Sequence, residues 1–290
     1  MTKMNDIPLR YINATRNEPN FSESFYIRDV KELLAGTDIF QELQRLEYFF
    51  ILALKKGTGN HEIDFTSYEI CDNSLFFMRP GQVHRLELKA GSTGYLVQFK
   101  MDFFDPDNKA SGQLLRRTGN KSLCQLDAKT IKKPFVILTY IFQEYSEKQE
   151  GFQDIIKANL AIFFIELVRL HQVTKFPLSK GALYLQERIE ELSELLETNI
   201  STHKHVSQYA NMLNLSSYQL NAFTKTSLGK KFSELINDHI ILEAKRFLLA
   251  TPNQVNQIAV HLGYEDVSYF IRFFKKHTGF SPESFRHNFK

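Results

Sequence analysis

Two short stretches of this 290-residue chain, about fifty residues apart, carry side chains suited to reading the edges of nucleic-acid bases. The first holds Ser217, Tyr218, Asn221, Ala222 and Lys225; the second holds Ser268, Tyr269, Arg272, Lys275 and Lys276. Arginine and amide groups make paired hydrogen bonds to base edges, hydroxyls serve bases or phosphates, and lysine meets phosphate as a point charge. A separate set, His61, Glu62 and His84, mixes imidazole and carboxylate, the ligand types that a divalent transition metal accepts. No nucleophilic triad, glycine-rich phosphate loop or paired-carboxylate motif accompanies either set, so binding is expected and catalysis is not.

The elements that must position the base-reading side chains repeat. Ala210, Leu213, Leu220, Phe223, Lys225, Gly229, Phe232 and Leu235 find counterparts in Ala259, Leu262, Phe270, Phe273, Lys275, Gly279, Pro282 and Phe285. Each copy reads as a helix-turn-helix: a short helix with a small inner residue, a turn, and a second helix that exposes polar groups. Asn214 and Gly263 hold the turns. Both residue types tolerate the left-handed backbone that a sharp turn needs, so the two turns are expected to be chemically equivalent. The second helices are expected over about 217–226 and 266–277, each opened by an N-capping side chain. Leu220, Phe223 and Leu228 face inward in one, and Phe270, Phe273 and Phe274 in the other. Residues 233–250, between the copies, keep an apolar helical face through Leu235, Ile236, Ile240, Ala244 and Phe247. A connector of about 17 helical residues spans roughly 26 Å, comparable with the ~34 Å between major-groove turns once the reading helices' own offsets are added.

Charge and composition narrow the class. Residues 199–290 hold 11 Lys and Arg against 6 Asp and Glu, although the whole chain carries only +3. The positive balance therefore sits on the repeat, as a polyanion partner requires. With 43% hydrophobic and 24% charged residues the chain is neither disordered nor fibrous, and its length suits two domains. Cys71 and Cys124 stand apart, which argues against a disulfide framework or a zinc site and fits a reducing cytoplasm. The longest apolar run, 48–54, falls far short of the roughly 20 residues a bilayer requires. The first residues show no signal-peptide stretch, so a cytoplasmic location away from membranes is expected.

Toward the amino end, the apolar runs 48–54, 63–70, 74–78, 83–88 and 94–100 alternate with turn residues such as Gly57, Asn73, Gly81 and Gly91. Turns at intervals of about 8 to 12 residues are a sandwich or small-barrel pattern, and a β-barrel is expected over about 10–105. The period then changes. Ile131, Phe135, Leu138, Phe142 and Tyr145, and again Ile156, Leu160, Phe163, Leu167 and Leu170, step by threes and fours, so two helices are expected over about 130–174. Their stripes either pack on the barrel or form the seam of a homodimer. Pro177 and Gly181 mark a linker over 175–182, which separates a domain at 1–174 from a helical domain at 183–290. The fold class is α+β.

The run 259–286, with Ala259, Leu262, Gly263, Tyr264, Phe270, Arg272, Phe273, Gly279, Pro282, Phe285 and Arg286, resembles the signature of AraC/XylS-type bacterial regulators. The resemblance covers about residues 183–290. It implies an all-α domain of two helix-turn-helix units joined by a long helix, which binds double-stranded promoter DNA and often activates transcription by RNA polymerase. By position it implies that Ser268, Tyr269 and Arg272 face bases, with Tyr218, Asn221 and Ala222 in the corresponding places of the first unit. Ala222 departs from the pattern, because it offers a base only a methyl contact.

Residues 57–65, followed by Pro80, Gly81 and His84, more weakly resemble the cupin-like barrel that binds a small effector in the same family. That resemblance implies an effector pocket near His61, Arg79 and His84, and Arg79 and Arg85 would suit an anionic ligand. A metal-dependent cupin enzyme using His61, Glu62 and His84 is an alternative, but the usual His-x-His pair is broken by Ile63, so no metal or cofactor is expected. A helical protein-interaction module is another. It gives no reason for two turns that are each followed by a cationic helix, whereas groove reading needs both. Effector control requires the ligand to bind two arrangements of the chain with different affinity.

Overall fold

The computed structural model describes residues 24–104, 109–119, 121–173 and 180–289, and the division between two compact units falls after Pro177. The first unit runs β1 (Phe25–Asp29), α1 (Val30–Leu34), β2 (Ile39–Arg45), β3 (Phe49–Lys56), β4 (Gly59–Ile63), β5 (Thr66–Ile70) and β6 (Ser74–Met78). It continues with β7 (Val83–Leu88), β8 (Thr93–Phe99), α2 (Met101–Phe104), α3 (Lys109–Thr118), β9 (Leu123–Gln125), α4 (Lys132–Glu147) and α5 (Phe152–Val173). All strand pairs are antiparallel.

The strands form two sheets, ordered β1-β8-β3-β6-β9 and β2-β7-β4-β5, in place of the closed barrel expected from the turn spacing. Turn spacing reports strand length and says nothing of whether the outer strands pair. The expected barrel region also ended too early, since β9 joins the edge of the first sheet from residues 123–125, and its start, 10–23, lies outside the described residues.

The run 48–54 is continuously apolar because β3 is covered on both faces. Phe49, Ile51 and Ala53 belong to the core beneath the helices, and Phe50, Leu52 and Leu54 to the core between the sheets. β6 divides the same way, Leu75 and Phe77 against Phe76 and Met78. Ile137, Leu138 and Ile141 of α4, with Ile156, Leu160, Phe163 and Leu167 of α5, pack into the first of these cores. The buried members of the stripes are thus taken up by the sheet, and Phe135, Phe142, Tyr145 and Leu170 are partly buried against the same core. On the opposite side the helices leave Val136, Tyr140, Ile162 and Ile165 between 41% and 69% exposed.

The second unit comprises α6 (Lys180–Asn199), α7 (Val206–Met212), α8 (Ser217–Leu228), α9 (Phe232–Ala250), α10 (Val255–His261), α11 (Val267–Thr278) and α12 (Pro282–Phe289). α6 starts inside the segment expected as linker; Gly181 falls in its first turn, where backbone N–H groups need no partner within the helix. Residues 175–179 of that linker lie outside the described residues.

Four successive helices open with the same device. The backbone N–H groups of His205, Ser216, Lys231 and Gln254 donate to the side-chain oxygens of Gln208, Gln219, Glu234 and Gln257, each three residues on, at 2.9, 2.9, 2.7 and 2.8 Å. Ala210, Ala244 and Ala259 are buried and let the helices approach. Leu220 and Phe270 face inward, but the next inward residues are Thr224 and Phe274, with Phe223 and Phe273 only half-buried and Leu228 exposed. At about 3.6 residues per turn, the fourth residue along returns closer to the starting face than the third.

Candidate nucleic-acid interface

α7 with α8, and α10 with α11, make two helix-turn-helix units, and α9, 19 residues long, joins them over roughly 28 Å. α8 and α11 are each 12 residues long and end at Gly229 and Gly279, whose φ of 75° and 82° carry the left-handed caps. They also start alike: Ser216 Oγ accepts from the Gln219 N–H at 3.1 Å, and Asp266 Oδ1 from the Ser268 N–H at 2.7 Å. Equal length and matched caps put Tyr218 in the place of Ser268, Ala222 in that of Arg272, and Lys225 in that of Lys275.

Tyr218 is 83% exposed, Ala222 and Lys225 are exposed, and Ser217 is partly covered. Ser268, Tyr269, Arg272, Lys275 and Lys276 all stand exposed on α11. Arg272 Nη2 lies 3.8 Å from Asp266 Oδ2, with both side chains largely in water. Such a pair contributes little to stability, so the guanidinium can exchange this partner for another at small cost.

Asn221 departs from the expectation that it faces a base. Its Oδ1 accepts the Phe232 N–H at 3.0 Å and so satisfies one of the unpaired donors at the start of α9. Replacing Asn221 with Ala is expected to lower stability by about 1 kcal/mol in urea unfolding. An unchanged unfolding midpoint would show that this bond carries nothing.

Asn214 and Gly263 have φ of 55° and 74°. The expected equivalence of the two turns ends there. Both are exposed, but Asn214 carries a side chain, whereas a Cβ on Gly263 would stand 1.6 Å from the Ser201 carbonyl oxygen. Gly263 therefore answers a close approach of backbone as well as a turn.

In the first unit, His61 and His84 come together between the sheets, both fully buried, with His61 Nε2 and His84 Nδ1 3.0 Å apart. Gln44 Nε2 lies 3.1 Å from His84 Nε2. Burial pushes the His84 pKa down to about 3, offset in part by the Asp64 carboxylate. Burial, then the neighbouring His84, hold His61 well below the usual imidazole range. Gln41 and His61 stand on either side of Leu86 in neighbouring strands. Both amide atoms of Gln41 and Nδ1 of His61 are buried without a hydrogen-bond partner among the described residues. The Arg79 backbone N–H donates to Gln82 Oε1, and its side chain lies against Gly119 after α3. Glu62 lies 3.8 Å from Arg85 and apart from the imidazoles, because successive side chains of a strand point to opposite faces. Among the described residues no group of three or more His, Cys, Asp or Glu could hold a metal ion.

Residues 209–288 match the family described as a helix-turn-helix domain, and residues 36–157 match the AraC-like ligand binding domain; together these take in more than half of the chain. The chain belongs to the AraC family of transcription regulators. This regulator is 24% identical over 255 residues to the transcriptional activator RhaS of Pectobacterium carotovorum, covering 83% of this chain and 86% of that one. It is 19% identical over 251 residues to the HTH-type regulator YfiF of Bacillus subtilis, covering 86% and 79%. Among solved structures it is similar to the carboxyl-terminal domain of the response regulator yesN from Fusobacterium nucleatum, at 30% identity and a TM-score of 0.33, covering 34% of this chain and 98% of that one. It is also similar to fatty-acid-bound ToxT from Vibrio cholerae, at 20% identity and a TM-score of 0.42, covering 93% and 96%.

An AraC-family member is a DNA-binding transcription regulator with a ligand-binding domain. No helix among the described residues is long and apolar enough to cross a membrane. The contacts of two residues of this regulator escaped the sequence reading. Arg286 donates from Nε to the Leu248 carbonyl at 2.9 Å and from Nη2 to the Asn253 carbonyl, tying α12 to the end of α9. Lys204 reaches the second turn from the loop after α6. Both were legible only as surface cations, because their partners lie dozens of residues away.

Proposed function

We propose that this regulator reads two adjacent major grooves of promoter DNA with α8 and α11, and that a small molecule held between the sheets of its first unit alters that binding. The observation that carries the reading is the pair of equally long, exposed helices in the two units that α9 joins, each opened by a side-chain N-cap and closed by a left-handed glycine. Ser268, Tyr269 and Arg272 meet bases, Ser217, Tyr218 and the methyl of Ala222 occupy the shallower contacts of the first unit, and Lys225, Lys275 and Lys276 meet phosphates. Residues 1–174 hold the effector and 183–290 the DNA, with 175–182 between them.

The unpartnered amide of Gln41 and Nδ1 of His61 favour a small uncharged effector that both donates and accepts hydrogen bonds. The exposed apolar face of α4 and α5 suits a second copy of the chain. Activation through RNA polymerase, a cytoplasmic setting and the absence of catalysis complete the reading.

Selection of bound duplexes from a random pool, at two salt concentrations, tests it. A motif of two boxes about one helical turn apart, bound less tightly as salt rises, is the expected result. Arg272→Ala is expected to cost about 1 to 3 kcal/mol, concentrated at one base position. Equal loss on every sequence would assign Arg272 to phosphate, and salt-insensitive binding would move the weight to a protein-interaction module.

A further inference from the structure

The loop between α6 and α7 is bound at both of its ends. On the side of the first helix-turn-helix, Tyr209 Oη donates to the His203 carbonyl at 2.9 Å, and Gln208 Oε1 accepts the Lys204 N–H at 3.0 Å. On the other side the loop meets the turn of the second unit. The Ser201 carbonyl occupies the space a side chain on Gly263 would need, and Lys204 Nζ stands 4.9 Å from the centre of the Tyr264 ring. That ammonium also donates to the carbonyls of Ser201 at 3.3 Å and Ile200 at 3.5 Å, where the end of α6 favours a cation. Tyr264 is buried and packs on Phe270 at 5.3 Å and Tyr269 at 5.9 Å, both in α11. The loop is therefore one ring away from a base-reading side chain of the second unit. The matching turn of the first unit, at Asn214, is exposed and carries a side chain.

We propose that this loop is a phasing latch: with α9 it forms a second link between the two helix-turn-helix units, and it sets the spacing of the two DNA boxes that the regulator accepts. The proposal rests on the two-groove reading above. Each unit packs on its own end of α9, and Arg286 ties α12 there, but within these contacts only α9 itself connects one unit to the other. A second link at Ser201 and Lys204 braces that single connection. Two linked readers gain affinity of the order of 100-fold from simultaneous engagement, and lose it when geometry forbids both to bind. A fixed phase makes that loss sharp, because one extra base pair turns the second box by about a tenth of a helical turn.

The test uses the full chain and the two-box duplex recovered from the random pool, the same duplex with one base pair added or removed between the boxes, and a duplex with the second box alone. The unaltered protein is expected to lose on the order of tenfold in affinity or more on respacing. Lys204→Met keeps the apolar stem and removes the charge. It is expected to bind the three spacings within about threefold of one another, with single-box affinity unchanged. If Lys204→Met discriminates spacing as sharply as the unaltered protein, the latch is overturned and the two-groove reading stands. If the unaltered protein is itself indifferent to spacing, both fail.

Discussion

Gly263→Val is expected to destabilise the carboxyl-terminal unit by about 3 kcal/mol or more, enough to abolish DNA binding by the second helix-turn-helix. Two costs add. At φ 74° a β-branched side chain clashes with its own backbone, and the new Cβ would stand 1.6 Å from the Ser201 carbonyl oxygen and 2.7 Å from Lys204 Nζ. Neither neighbour has an easy retreat, since the loop that holds them is tied to Tyr209 and Gln208. The matched control is Asn214→Gly. It occupies the equivalent exposed turn at φ 55°, and is expected to change stability by no more than about 1 kcal/mol. Urea unfolding followed by far-ultraviolet circular dichroism compares the two. Equal midpoints would mean that the second turn is as open as the first.

The second large effect is a loss of stability in acid, localised to the sheet unit. His84 has a folded pKa of about 3 against an ordinary value of 6.5, and His61 is lowered in the same direction. Below pH 6.5 the unfolded chain takes up protons that the folded chain refuses, so stability is full above that pH and falls progressively toward pH 3. Each imidazole contributes a slope of up to about 1.4 kcal/mol per pH unit. The diagnostic window runs from pH 6.5 down to about 5, above the range where carboxylates titrate. Denaturant unfolding across that window should show a falling midpoint in the natural sequence and a nearly flat one in the double variant His61→Gln, His84→Gln. Parallel slopes would mean that the imidazoles accept protons while folded, and that the pair is open to solvent.

Much of the DNA-binding unit was legible because its signals are local. Gly229 and Gly279 end their helices by supplying a left-handed residue, Ser216 and Asp266 open them by accepting a backbone N–H within three residues, and the fifty-residue repeat set the two units side by side. The helical stripes of α4 and α5 were equally plain, but their use was not. The same spacing serves a sheet or a second copy, and only the neighbouring Phe49, Phe77 and Phe99 show that the sheet takes it. The two-sheet arrangement was out of reach for a similar reason, since turn spacing carries no record of which outer strands pair.

By itself, then, the sequence determined that a strand-rich stretch precedes two amphipathic helices, and that the last unit is a doubled helix-turn-helix with its turns at Asn214 and Gly263. Those properties depend on backbone preferences and side-chain periods within a few residues, which any short window displays. The tertiary structure alone decided that Asn221 binds the start of α9, that His61 and His84 share one buried hydrogen bond, and that Gly263 lies against Ser201. Each of those is a contact between residues about 10 to 60 positions apart, closed by the packing of whole elements. No local preference encodes it, because the free energy that brings the partners together is gained elsewhere, in the burial of the cores.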